Sequence, residues 1–96
     1  MDRLWTAAIR GTGMAVPDRV VPNDEFVDIV DTSDEWIRTR TGIRERRFVG
    51  VADTSATLGT TAARNALAAA GLTPADVDLI VCGTVTPDTM CPSAAC

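Results

Sequence analysis

Four residue types are missing from this 96-residue chain: it has no His, no Lys, no Tyr and no Gln. Without His, the chain by itself cannot assemble a Ser–His–Asp or Cys–His catalytic set, nor hold a metal through imidazole. Without Lys, all nine cationic side chains are Arg, permanently charged forks of donors that cannot serve as a base or a Schiff-base amine. Cysteine is scarce: Cys82, Cys91 and Cys96 form an odd set with no CxxC spacing, which points to reduced thiols in a cytoplasm rather than a disulfide framework. No apolar run approaches the roughly 18–20 residues that span a membrane. Met1-Asp2-Arg3-Leu4-Trp5 is not followed by the continuous apolar stretch of a signal peptide. The net charge of −4 argues against a general affinity for nucleic acid.

What is present is ordinary globular material, 46% hydrophobic and 23% charged, and at this length a single domain is expected. The charge is unevenly placed. Six acids and no base lie between Asp24 and Glu35; five Arg against one Glu lie between Arg38 and Arg47. That switch of sign fits either an internal salt-bridge system or a small anion-facing patch.

Along the chain, Trp5 to Val16 reads as a strand, with Gly11 and Gly13 marking a bend or a close backbone approach. Gly11-Thr12-Gly13 lacks the third glycine of a nucleotide loop, and Pro17 interrupts the helix such a loop requires. Asn23 can cap a short helix through Phe26, Val27 and Val30, with Asp24 and Glu25 in its first turn. Thr32-Ser33-Asp34-Glu35 has the form of a capping box in which Thr32 caps and Glu35 reaches back. The helix it opens carries Trp36, Ile37 and Arg40 and stops near Gly42. Ile43 to Val49 follows as a short, Arg-rich extended segment.

Thr54 to Ala70 is strongly helical, with Leu58, Ala62, Ala66 and Ala69 on one face and Gly71 just past the end. An alanine stripe lets neighbours approach closely and suits a sandwiched helix. Thr73-Pro74 restarts the chain. Asp78 to Gly83 encloses the near-continuous apolar run Leu79-Ile80-Val81-Cys82, the pattern of a parallel strand buried on both faces, with Cys82 a small buried hydrophobe. Pro92 is placed to open a further helix. A strand–helix–strand unit followed by one turn of helix is not a closed architecture. The expectation is therefore the start of a larger α/β domain.

Asp31-Thr32-Ser33-Asp34-Glu35-Trp36-Ile37-Arg38-Thr39-Arg40-Thr41-Gly42-Ile43-Arg44-Glu45-Arg46-Arg47 closely resembles the N-terminal signature of the β-ketoacyl-acyl-carrier-protein synthase III family, the condensing enzymes that initiate type II fatty-acid synthesis. Ile9 to Gly13 with Pro17, the alanine-rich helix to Gly71-Leu72, and Asp78 to Val81 leading to Pro92-Ser93-Ala94-Ala95-Cys96 agree in order and spacing, so the resemblance covers essentially the whole chain. It implies an α/β fold: residues 1–96 are the incomplete N-terminal part of a thiolase-like αβαβα domain that acts as a homodimer. It implies condensation of a short acyl-CoA with malonyl-acyl carrier protein in the cytoplasm, through an acylated cysteine assisted by a His and an Asn. No metal or other cofactor is implied, coenzyme A being carried in by the substrate, and neither nucleic acid nor membrane is a partner.

The family's nucleophile falls beyond Cys96, and Pro92-Ser93-Ala94-Ala95-Cys96 matches the segment preceding it. No catalytic residue is therefore expected within these residues, and the segment alone is expected to be inert. What the resemblance does place here is part of the coenzyme A mouth: Trp36 stacking on adenine, with Arg40, Thr41 and Thr32 contacting the nucleotide. The chemistry is reasonable on its own terms, since an indole offers a flat face to a purine. Arg40, one turn on, offers donors to phosphate from the same helix face. The competing expectation makes Trp36 a core anchor and pairs the arginines with the preceding acids; for Arg44, Arg46 and Arg47 that structural role is preferred to contact with an acidic carrier protein. Two other functions stay open: a pathway-specific relative in polyketide assembly, and a stand-alone, non-catalytic binding module.

Overall fold

The computed structural model describes residues 3–96, so Met1 and Asp2 of the N-terminal segment lie outside the described residues. The chain divides into two compact units, residues 16–53 and residues 3–15 with 54–96.

In the first unit, β1 (Arg19–Pro22) pairs antiparallel with β2 (Glu45–Phe48), with Val21 opposite Arg46 and Val20 opposite Arg47. The connection holds a 3₁₀ turn (Asn23–Phe26) and helix α1 (Asp34–Thr41). Helix α1 begins one residue later than the sequence pattern predicts. Ser33, not Thr32, is the cap, its hydroxyl accepting from the Trp36 N–H at 3.1 Å, an interaction worth about 1 kcal/mol. Two adjacent hydroxyl residues compete for one cap, and the one whose oxygen meets the third N–H of the helix wins. Gly42 ends α1 in the left-handed region (φ 73°), where a side chain would be strained. Asn23 is not a cap either. It is the first residue of its 3₁₀ turn and is 1% exposed, and its amide is engaged in tertiary hydrogen bonds. Val21, also 1% exposed, is the only buried hydrophobic residue among the described residues.

In the second unit, helix α2 (Ser55–Ala70) runs where the apolar periodicity predicts, with Gly71 at its C-terminus. Thr54 caps it in a reciprocal box with Thr57. Its first turn is also met from the loop of residues 84–90: the Asp88 carboxylate accepts from the Ala56 N–H at 2.9 Å, and the Ser55 hydroxyl donates to the Thr86 carbonyl at 2.6 Å. The N-terminal segment lies directly on α2. A Cβ on Gly11 would stand 2.6 Å from the Ala66 carbonyl oxygen, and one on Gly13 would collide with the Ala66 nitrogen and the Ala62 oxygen. The glycine pair is therefore a close backbone approach and not a phosphate loop. Asn65 tethers the same segment by donating to the Met14 carbonyl at 3.1 Å.

Neither Trp5 to Val16 nor Asp78 to Gly83 forms a strand, and the only ladder among the described residues is the antiparallel β1–β2 pair. A parallel strand takes its hydrogen bonds from neighbours on both sides, and the pattern at Leu79-Ile80-Val81 specifies apolar faces without supplying those neighbours. These three side chains are 79%, 62% and 86% exposed. Cys82 is exposed rather than buried for the same reason. After Pro92 there is a single turn, closed by the Cys96 N–H on the Ser93 carbonyl, rather than a helix. No helix among the described residues is long and apolar enough to cross a membrane.

Candidate coenzyme A cleft

The first unit contains a cleft of about 460 Å³ lined by Phe26, Val30, Asp31, Thr32, Trp36, Ile37 and Arg46. Trp36 and Ile37 reach it from the first turn of α1, which the Ser33 cap fixes. Trp36 is 54% exposed. The Arg40 guanidinium, one helical turn on, lies 5.2 Å from the centre of the indole ring, a cation–π interaction worth about 0.5–1 kcal/mol at an exposed site. Among the described residues Arg40 forms no hydrogen bond or ion pair with the protein, so its donors face solvent.

Thr32, released from capping, has its hydroxyl oxygen buried with no hydrogen-bond partner. A buried hydroxyl left unpaired costs about 1–3 kcal/mol, and this one sits in the wall of the cleft beside the indole. Thr41 is placed differently. Its hydroxyl donates to the Ile37 carbonyl at 2.7 Å and accepts from the Ile43 N–H at 3.0 Å, closing the C-terminus of α1. It does not line the cleft. The sequence-predicted residues Thr32, Trp36 and Arg40 thus come together, and Thr41 stands apart at the helix end.

The opposite wall was not foreseen. Phe26 packs edge-on against Phe48 with ring centres 6.2 Å apart, and the Arg46 guanidinium covers Phe26 at 4.6 Å. Arg46 also donates to the Val21 carbonyl at 3.1 Å and to the Asn23 side-chain oxygen at 2.5 Å. Arg47 donates to the Pro17 carbonyl. Both arginines therefore hold backbone carbonyls, not the preceding acids with which the structural expectation paired them. The Phe26–Val30 spacing of one turn is the only sequence signal for that wall; Arg46 reaches it through pairing of β2 with β1, which no local pattern announces.

The acid-to-arginine switch resolves into one short network. Asp34 accepts from the Asn23 amide at 2.8 Å and from the Arg38 guanidinium at 2.9 Å. The Asn23 hydrogen bond first, then Arg38 and Arg44, hold its carboxyl below the usual carboxylate range. The Thr54 hydroxyl and the Ala56 N–H lower Asp88 in the same sense. Cys82, Cys91 and Cys96 are free, and none lines the cleft. Among the described residues no group of three or more Cys, Asp or Glu side chains could hold a metal. An indole, an unpaired hydroxyl and a free guanidinium can grip a flat, hydrogen-bonding ring attached to an anion; they contain no nucleophile.

The architecture has close counterparts. Over 92% of this chain and 28% of its own, the 3-oxoacyl-[acyl-carrier-protein] synthase III of Aquifex aeolicus superposes with a TM-score of 0.85 at 49% identity. The priming β-ketosynthase of the R1128 polyketide biosynthetic pathway does so over 82% and 25%, with a TM-score of 0.70 at 39% identity. The fold is accordingly an incomplete α/β piece of the thiolase-like condensing enzymes. No family model matches the chain. The β-ketoacyl-[acyl-carrier-protein] synthase III of Symbiobacterium thermophilum is 56% identical over 93 residues, which are 97% of this chain and 28% of that relative. The chain belongs to the β-ketoacyl-[acyl-carrier-protein] synthase III family as an N-terminal segment, and it spans little more than a quarter of such a relative's length.

Proposed function

We propose that the chain supplies the adenine end of the coenzyme A site in a cytoplasmic, homodimeric enzyme that condenses a short acyl-CoA with malonyl-acyl carrier protein to begin fatty-acid synthesis. Residues 1–96 are then the N-terminal part of one thiolase-like domain, whose nucleophilic Cys and assisting His and Asn lie outside them. The reading rests on one observation: the half-exposed Trp36 indole shares its cleft with the buried, unpaired Thr32 hydroxyl while Arg40 lies against its ring. Trp36 stacks on adenine, Thr32 donates its hydroxyl to a ring nitrogen or accepts from the ring's amino group, and Arg40 turns its free donors to phosphate. Thr41 reaches the nucleotide only through the lone pair its helix-end bonds leave unused. Coenzyme A enters as part of the substrate, and the chemistry calls for no metal.

Trp36→Ala in the full-length enzyme should raise KM for acyl-CoA by the equivalent of about 1–3 kcal/mol, the worth of one base–aromatic stack, with kcat little changed because adenine is remote from the thioester. Melting temperature should hardly move, since an indole that stacks on adenine lies at the mouth of a cleft and not in the core. A large drop in stability with KM unchanged would overturn the assignment. The likeness to a priming ketosynthase of polyketide biosynthesis favours one second reading, a starter-unit condensation in that kind of pathway. Assaying the full-length enzyme with acyl-CoA primers of increasing length separates the two.

A further inference from the structure

We infer that Asn23 is a positioning residue for the Trp36 cleft, an assignment that rests on reading the cleft as the adenine site. Its side chain is buried and saturated. The amide nitrogen donates to the Asp34 carboxylate at 2.8 Å and to the Ile43 carbonyl at 2.8 Å, and the amide oxygen accepts from Arg46 at 2.5 Å. Asp34 is the first residue of α1 and Ile43 follows the Gly42 that ends it, so one amide holds both ends of the helix that carries Trp36. The third partner, Arg46, covers Phe26 in the facing wall. Asn23 touches no residue of the cleft except Arg46 by hydrogen bond, yet it couples the indole wall to the phenylalanine wall. Only an amide does this, because the position needs two donors and an acceptor on one short, uncharged side chain.

The test uses the full-length enzyme. Asn23→Asp keeps the acceptor for Arg46 but sets a carboxylate against Asp34. It should raise KM for acyl-CoA about tenfold, the effect of losing a buried hydrogen bond. It should leave kcat within about twofold, as expected when ground and transition states are weakened alike. The exchange Asn23→Asp with Asp34→Asn restores a donor between the two positions but not the bond to the Ile43 carbonyl, and should recover part of the loss. A purely structural role predicts less active enzyme at unchanged KM, and that result overturns the assignment, as does a double variant no better than Asn23→Asp. If Asn23→Asp does not accumulate, Asp34→Ala removes the same hydrogen bond from the helix side: a raised KM supports the assignment and an unchanged one overturns it. Trp36→Ala, run in parallel, separates the causes. If it raises KM while the Asn23 variants do not, the positioning role alone is wrong; if it leaves KM unchanged, the adenine reading falls and the positioning role with it.

Discussion

Residues 16–53 and residues 3–15 with 54–96 reach order by opposite means. The first unit buries only Val21 and Asn23, yet a web of directional hydrogen bonds from Asn23, Arg46 and Asp34 joins β1, β2 and α1. The second has twice the helix, well capped, and a glycine pair seated on its alanine face, while Leu79, Ile80, Val81, Val85 and Met90 stay exposed. Polar networks are complete when their few partners are present; apolar faces are complete only when enough area covers them. Where the chain is little more than a quarter of its relatives' length, those faces are the ones with something left to bury.

The largest expected effect follows from that contrast. Amide exchange on the 96-residue chain alone should find residues 77–85 unprotected and residues 34–48 measurably protected, and the chain should associate through its open apolar segments. A monodisperse monomer with one cooperative thermal transition and protected residues 77–85 would erase the distinction between the units. Next comes Gly13→Ala, which drives a methyl into the α2 backbone and should cost about 1–3 kcal/mol or more. It should raise exchange in α2 and leave β1, α1 and β2 untouched; an equal response in both units would show that they are one cooperative body.

The smallest effect is acidic. Because the folded state holds the Asp34 carboxyl below its ordinary value, its contribution is full above the unfolded pKa near 4 and is lost as pH falls through the lower folded value. Exchange in α1 should therefore quicken below about pH 4, and Asp34→Asn should flatten that acid limb. An unchanged limb would remove Asp34 from the network.

Features encoded within one or two turns were legible in the sequence. Both helices, their glycine stops, the helical setting of Trp36 and the close approach of Gly11 and Gly13 follow from spacing and residue type. The cap moved from Thr32 to Ser33 because adjacent hydroxyls look alike until backbone geometry chooses one. Asn23 was illegible because its partners lie 11, 20 and 23 residues away. The misread strands at Trp5 to Val16 and Asp78 to Gly83 carry the right apolar pattern, but a strand is a relation between segments and no pattern contains its own neighbour. For the cleft, the residues of α1 were within reach and the wall of Phe26 and Arg46 was not.

The Asp88 carboxylate at the first turn of α2 has a consequence for steering. A helix start ordinarily attracts phosphate through its exposed N–H groups and its positive pole. Here the Ala56 N–H is already taken by the chain's own anion, whose charge offsets that pole. An approaching polyphosphate meets that negative charge at the start of α2, so the loop of residues 84–90 acts as an electrostatic fence at that helix start.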